Sequence, residues 1–272
     1  MEDLKQKALS IRKNIVEMIY MASSGHPGGA LSCADILTAL YFSEMNVDSS
    51  NPKMEDRDRL VLSKGHASAA LYATLAEKGF FEKEKLLGFR NINSILQGHP
   101  DMKNIPGVDM STGSLGQGLS ASNGMAMAAK IDGKDYRVYC IMGDGEIEEG
   151  QVWEAAMTSS HYKLDNLCVI VDYNNLQIDG KITEVINPTP IDEKFKSFGF
   201  NVININGNDL DEILSAFEKA RTAKGRPTAI IAKTIKGKGV SYMENQVGWH
   251  GKAPSEEERN IAINELSEAE DR

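Results

Sequence analysis

Residues 143–175 read GDGEIEEGQVWEAAMTSSHYKLDNLCVIVDYNN, and this stretch decides the fold. An apolar run, YRVYCIM at 136–142, leads into it; short, β-rich and closed by glycine, it predicts a strand in a sheet interior. The run stops at Gly143-Asp144-Gly145, a carboxylate between two residues with no side chain to block a phosphate or an ion. Residues 147–161 predict a helix whose apolar side is Ile147, Val152, Ala155, Ala156 and Met157. LCVIV at 167–171 predicts a second strand, ending in Asp172-Tyr173-Asn174-Asn175. Strand, helix, strand is a right-handed parallel unit, so both polar ends fall at one edge of the sheet. Asp144 and Asn174 therefore converge, although thirty positions separate them. A carboxylate and an amide oxygen suit a small hard cation, Mg²⁺ or Ca²⁺, that keeps sites for water and a diphosphate. Glycine-rich and Asn-Asn turns also occur without a ligand. The strand context and the spacing favour the metal.

The 272 residues suffice for one large α/β domain over the whole chain, 1–272, with a mostly parallel sheet and helices on both faces. A net charge of −9 and no run of Lys or Arg argue against a nucleic-acid partner. Cys33, Cys140 and Cys168 are odd in number and widely spaced, which points to buried free thiols in a reducing compartment. The first residues, MEDLKQKALSIRKN, are charged, and no stretch approaches the roughly 18 apolar residues of a membrane span. The cytoplasm is the expected location.

Outward from the organising stretch, Leu4, Ala8, Ile11, Ile15, Met18 and Ile19 recur at helical spacing and predict a helix over 3–21. The segment SSGHPGG at 23–29 is too rich in glycine to continue it. Ser32 with Asp35 three on predicts a capping box opening a helix over 33–44. RLVLS at 59–63 predicts a strand running into Lys64-Gly65-His66, then a helix over 67–78 that ends at Gly79. A short helix over 81–89 and a turn at 97–100 follow. STGSLGQG at 111–118 is a glycine-dense loop before a small-residue helix over 118–130, a general anion cradle through free N–H groups and the helix dipole. Further on we expect a helix at 191–198, a strand at 200–205, Asn208 capping a helix at 209–223, and a strand at 228–233. Ser255 with Glu258 caps a charged final helix.

Four of the five histidines, His26, His66, His99 and His250, stand beside glycine at element ends. Such turns lie at sheet edges where ligands bind. His161, late on a helix, reads as structural.

The segments SSGHPGGALS, RLVLSKGHASAALYATL, GHPD, STGSLGQGLSASNGMAMA, GDGEIEEG, DYNNLQIDG and GWHG occur in this order and resemble the matching segments of transketolase. The resemblance covers the diphosphate-binding, amino-terminal half of that family, and implies the thiamine-diphosphate-binding fold. It further implies the first subunit of a split transketolase, active only with a second subunit that carries the pyrimidine-binding domain, as an α2β2 assembly on sugar phosphate substrates of the pentose phosphate type. Thiamine diphosphate and Mg²⁺ are the implied cofactors, Ca²⁺ or Mn²⁺ able to substitute. By the same resemblance Asp144, Asn174 and the carbonyl of Leu176 hold the metal, and Gly113, Leu115 and Gly145 contact thiamine diphosphate. His66 and His250 reach its phosphates or nearby substrate oxygens, and Ile178 packs on its ring. His26 and His99 face the donor ketose, His250 sharing in catalysis, and Glu149 joins a carboxylate pair across a dimer interface. The thiazolium would supply the carbanion chemistry and the imidazoles would move protons near pH 7. Lower-ranked readings are the first subunit of a 2-oxoacid dehydrogenase E1 component, a deoxyxylulose-phosphate synthase fragment, or a non-catalytic partner-binding module.

Overall fold

The computed structural model describes residues 1–178 and 180–270; Asp179, within DYNNLQIDG, and the last two residues lie outside that description. In chain order, α1 spans Glu2–Ala22, α2 Pro27–Ser32 and α3 Ala34–Ala39, which runs on through a π-helical turn at Leu40–Glu44. Strand β1 is Arg59–Leu62 and α4 is Ser68–Lys78, stopped by Gly79 in the left-handed region at φ 89°. Next come α5 at Gly118–Ile131, β2 at Val138–Gly143, α6 at Gly150–His161 and β3 at Leu167–Tyr173. A small antiparallel hairpin pairs β4 (Leu176–Gln177) with β5 (Gly180–Lys181) and leads into α7 (Ile182–Val185). The chain continues through α8 (Ile191–Ser197), β6 (Asn201–Asn206), α9 (Leu210–Thr222), β7 (Thr228–Lys233) and α10 (Glu256–Glu270).

The five long strands form one parallel sheet in the order β1-β2-β3-β7-β6. Side chains alternate across it, as the two-residue period of a strand requires. Tyr139, Ile141, Cys168, Ile170, Ile230 and Ala232 face a core shared with α1, α3, α4 and α9. Val138, Cys140, Met142, Val169, Val171 and Ile231 face a second core with α5, α6 and α8. Helices thus cover both faces, which explains why the strands read as unbroken apolar runs. The register sets Gly143 against Asp172 and Tyr173 against Lys233, so the carboxyl ends of β1, β2, β3 and β7 finish along one edge. Among the described residues no helix is long and apolar enough to cross a membrane.

The glycine-rich segment 23–29 ends α1 at Ala22, as expected, and Pro27, its φ already fixed near the helical value, opens the separate helix α2. Three local expectations are corrected. Ser32 and Asp35 form no capping box, since Ser32 Oγ donates to Asp172 Oδ2 at 2.6 Å and Asp35 accepts both terminal nitrogens of Arg12 at 2.6 and 2.8 Å. Asn208 is not the cap of α9; Asp209 is, accepting from the N–H groups of Asp211 and Glu212, while Asn208 binds Ser32 O, Asp35 and the N–H of Ile235. The expected short helix over 81–89 is a 3-10 turn at Lys83–Gly88. The box at Ser255 and Glu258 forms reciprocally, at 2.8 and 3.2 Å.

Candidate functional site

The carboxyl edge of the sheet opens on a cleft of about 460 Å³. Asp144, at the end of β2, is 2% exposed and accepts from the N–H of Gly145 at 2.9 Å and of Asn175 at 2.5 Å. Asn175 takes the left-handed region at φ 66°, which asparagine tolerates, and redirects the chain after it toward Leu176. Asn174 Oδ1 accepts from the N–H of Leu176 at 3.2 Å, and the Leu176 carbonyl accepts from Lys236 Nζ at 3.3 Å. The three expected metal-ligand residues therefore meet at one wall of the cleft. One of their oxygens already holds a cation, the Lys236 ammonium.

Charge explains what this wall needs. Burial, then the nearby Asp172 carboxylate, push the Asp144 carboxyl up to about 7. Burial and then Lys64 lower the Lys236 ammonium to about 8. Lys64 is itself buried, donates to Gly29 O at 2.7 Å and is ion-paired with Asp172. Burial, the largest influence, opposes the Lys64 charge, but Asp172, Cys33 and Asp144 together outweigh it and raise the ammonium above its ordinary value. Two ammonium groups thus face two carboxylates, and Glu146, Glu148 and Glu149 add acid to the lining. A diphosphate would meet no net positive charge here. Among the described residues no group of three His, Cys, Asp or Glu side chains is placed to hold a metal unaided. One carboxylate, one amide oxygen and one main-chain carbonyl instead leave positions of an octahedral hard ion for phosphate oxygens and water, so the residues fit a diphosphate-bound Mg²⁺.

Glycines shape the remaining walls. A Cβ on Gly145 would stand 3.0 Å from Gln177 Cγ, and one on Gly113, at φ 143°, would stand 2.9 Å from the ring of His99. Glu146, 3% exposed, accepts from Ser63 Oγ and from the N–H groups of Gly116 and Gly143 at 2.9 and 3.0 Å. It binds the ends of β1 and β2 to the glycine loop. Leu115, Ile178 and Ile186 line the cleft while 36, 60 and 64% exposed, an uncovered apolar rim. Glu149 is exposed at the N-cap of α6 and makes no side-chain cap hydrogen bond.

Three of the four glycine-flanked histidines cluster together: the rings of His26, His66 and His250 lie pairwise 5.4 Å apart, tilted or edge-on to one another. His99 stands beside them against Gly113, and His161 is far along α6. Burial leads the lowering of all four clustered imidazoles, helped by neighbouring cations. His26 and His250 fall to about 4, His66 well below its ordinary value, and His99 in the same direction. They are neutral at pH 7. Lys236 Nζ lies 3.0 Å from His250 Nδ1, so an ammonium donating there puts the His250 proton on Nε2. His26 Nδ1 is buried without a hydrogen-bond partner among the described residues.

Sequence reasoning did not single out Lys64, Asp172, Glu146 or Lys236. Lys64 and Lys236 each carry a signal, a lysine against glycine at the end of a buried strand or just past one.

Residues 4–267 match the family described as transketolase, thiamine diphosphate binding domain. The chain is 45% identical over 267 residues to an apulose-4-phosphate transketolase subunit from Phocaeicola vulgatus, covering 98% of this chain and 95% of that protein. It is 47% identical over 265 residues to the 6-deoxy-6-sulfo-D-fructose transketolase subunit SqwG of a Clostridium species, covering 97% of this chain and 96% of that one. The crystal structure of transketolase from Campylobacter jejuni superposes with a TM-score of 0.92 at 37% identity, over 98% of this chain and 43% of that one. These likenesses set aside the 2-oxoacid dehydrogenase and deoxyxylulose-phosphate synthase readings. The chain belongs to the transketolase family, in which it matches the thiamine diphosphate binding domain.

Proposed function

We propose that this chain is the diphosphate-holding subunit of a two-subunit transketolase, moving a two-carbon ketol unit from a ketose to an aldose. The observation that carries the reading is the wall of Asp144, Asn174 and the Leu176 carbonyl, set in a cleft that offers a diphosphate no net positive charge. Such a wall takes a diphosphate when a divalent cation comes with it, and hard oxygen donors favour Mg²⁺, with Ca²⁺ or Mn²⁺ as substitutes. Bound thiamine diphosphate would supply the stabilised carbanion that side chains lack. This chain's residues do the rest. Asp144, Asn174 and Leu176 orient the phosphate end, Gly113, Leu115, Gly145 and Ile178 form the seat, and His66 and His250 donate to anionic oxygens. His26 and His99, neutral at pH 7, accept protons from substrate hydroxyls.

The subunit-sized relatives support a second subunit, which would cover the rim of Leu115, Ile178 and Ile186 and bring the pyrimidine-side residues. An α2β2 assembly and a cytoplasmic location, where the buried free thiols of Cys33, Cys140 and Cys168 stay reduced, belong to the same proposal. Those relatives are named for one phosphorylated and one sulfonated ketose. The substrate class is therefore a ketose with an anionic far end, within which the pentose phosphates are one choice. The test is a two-carbon-transfer assay over such ketoses, with the chain alone and mixed with a subunit resembling the transketolase carboxyl half. Activity only in the mixture is expected. Full activity of the lone chain contradicts the reading, and neither activity nor complex formation favours a non-catalytic module.

A further inference from the structure

We propose that Arg90 is a positioning residue: it ties the loop carrying His26 to the loop carrying His99 and holds both imidazoles in place for the donor ketose. Its activity arm rests on the two-subunit reading above; its structural arm does not. Arg90 follows the 3-10 turn Lys83–Gly88 and sits in the left-handed region at φ 61°, its N–H donating to Leu96 O at 2.8 Å. Its Nη1 donates to Ser24 Oγ at 2.8 Å, two residues before His26. The guanidinium also lies on Gly98, the residue before His99. A Cβ there would stand 3.1 Å from Cζ and Nη2 and 3.2 Å from Nε, so the missing side chain is what lets the flat fork rest on the backbone.

The far side of the His99 loop is pinned by α4: Ser68 Oγ donates to Gly98 O at 2.8 Å, and Tyr72 Oη donates to Gln97 O and His99 O at 3.0 and 2.9 Å. Arg90 supplies the matching hold toward His26. Its Nε is buried against Gly98 with no hydrogen-bond partner among the described residues, so packing rather than a hydrogen bond seats this part of the fork. The charges facing these imidazoles agree with the geometry. His26 is faced by Arg90, His99 and Lys236 and by the rings of His66 and His250, and His99 by Arg90. After burial, Arg90 is the next cause that keeps each of them neutral.

Two variants separate position from charge. In Arg90→Gln, nuclear magnetic resonance titration of the full chain should find His26 and His99 protonating at higher pH than in the wild type, with His161 as reference resonance. Arg90→Lys restores the charge, and those titrations should return toward wild type. In the two-subunit complex, Arg90→Gln should lower kcat about 10–100-fold at unchanged thiamine diphosphate affinity, the cost typical of a displaced reactive group. Arg90→Lys, lacking the planar fork, should recover only part of kcat. Unmoved imidazole titrations in Arg90→Gln, or a wild-type kcat there, overturn the proposal. An inactive wild-type complex would instead sink the two-subunit reading, and the titrations would still decide Arg90.

Discussion

Replacing Lys64 with Met tests how the centre of the site is held. Lys64 is 1% exposed and Asp172 fully buried. The Asp172 carboxylate accepts from Ser32 Oγ at 2.6 Å, from Thr234 Oγ1 and from the Lys64 ammonium. In Lys64→Met the two hydroxyls remain and the cation is gone. Methionine fills much of the lysine volume, so the loss is electrostatic rather than a cavity. An uncompensated buried charge costs about 3–5 kcal/mol, which outweighs any gain from burying the thioether. At roughly 2–4 °C per kcal/mol for a chain of this size class, the melting point should fall by about 6–20 °C. Lys64→Met with Asp172→Asn removes both charges and should cost less than the two single changes summed. The Lys64→Met deficit should also shrink as pH falls. An unpaired buried carboxylate has its folded pKa raised, so its stability is present at low pH and lost as pH rises through that value. The assay is thermal and urea unfolding of the cofactor-free chain. Lys64→Met within about 1 kcal/mol of wild type, or strict additivity in the double variant, would refute the charge argument.

Three further outcomes follow from the same geometry. His26, His66, His99 and His250 have folded pKa values below 6.5, so their stability is present above that value and lost as pH falls toward about 4. Asp144, raised to about 7, runs the other way, but four imidazoles outweigh it; the cofactor-free chain should melt lower at pH 5 than at pH 7.5, and a higher melting point at pH 5 would contradict this. Gly65→Ala puts a Cβ 2.7 Å from Gly113 N and 2.8 Å from the Thr112 carbonyl carbon, so it should cost about 1–3 kcal/mol and weaken cofactor binding by displacing the glycine loop. Wild-type unfolding of that variant would show that the two loops do not touch as described. His26→Ala and His99→Ala should each keep cofactor affinity in the complex and lose about 10²–10⁴-fold in turnover; a stable variant with wild-type turnover returns that residue to a structural role.

The fold was legible where the signal is local. The 228–233 strand falls where the apolar run puts it, because β7 is central and buried on both faces. Two copies of one four-residue pattern show where legibility stops. Ser255 with Glu258 is a capping box because both partners are local: Ser255 and Glu258 bind each other's N–H groups, and the second Glu258 oxygen takes only nearby Lys252. Ser32 with Asp35 is not, because the fold brings Asp172 and Arg12 against them from distant positions. The candidate site divides in the same way. Glycine-flanked histidines and the GDG and NN segments could be read directly. The ion pair of Lys64 with Asp172 and the bonds of Glu146 to Ser63 and Gly116 depend on strand order and register, which no local pattern encodes.

The central claim is that Asp144 joins the cofactor's diphosphate to this chain through a divalent cation. Calorimetric titration of the two-subunit complex with thiamine diphosphate, with Mg²⁺ and in chelator, for wild type and Asp144→Ala, tests it directly. We expect wild-type binding that needs Mg²⁺, and in the variant a loss larger than the roughly 10–100-fold that follows removal of a group that merely orients a ligand. Equal affinity of wild type and Asp144→Ala in the presence of Mg²⁺ would contradict the account.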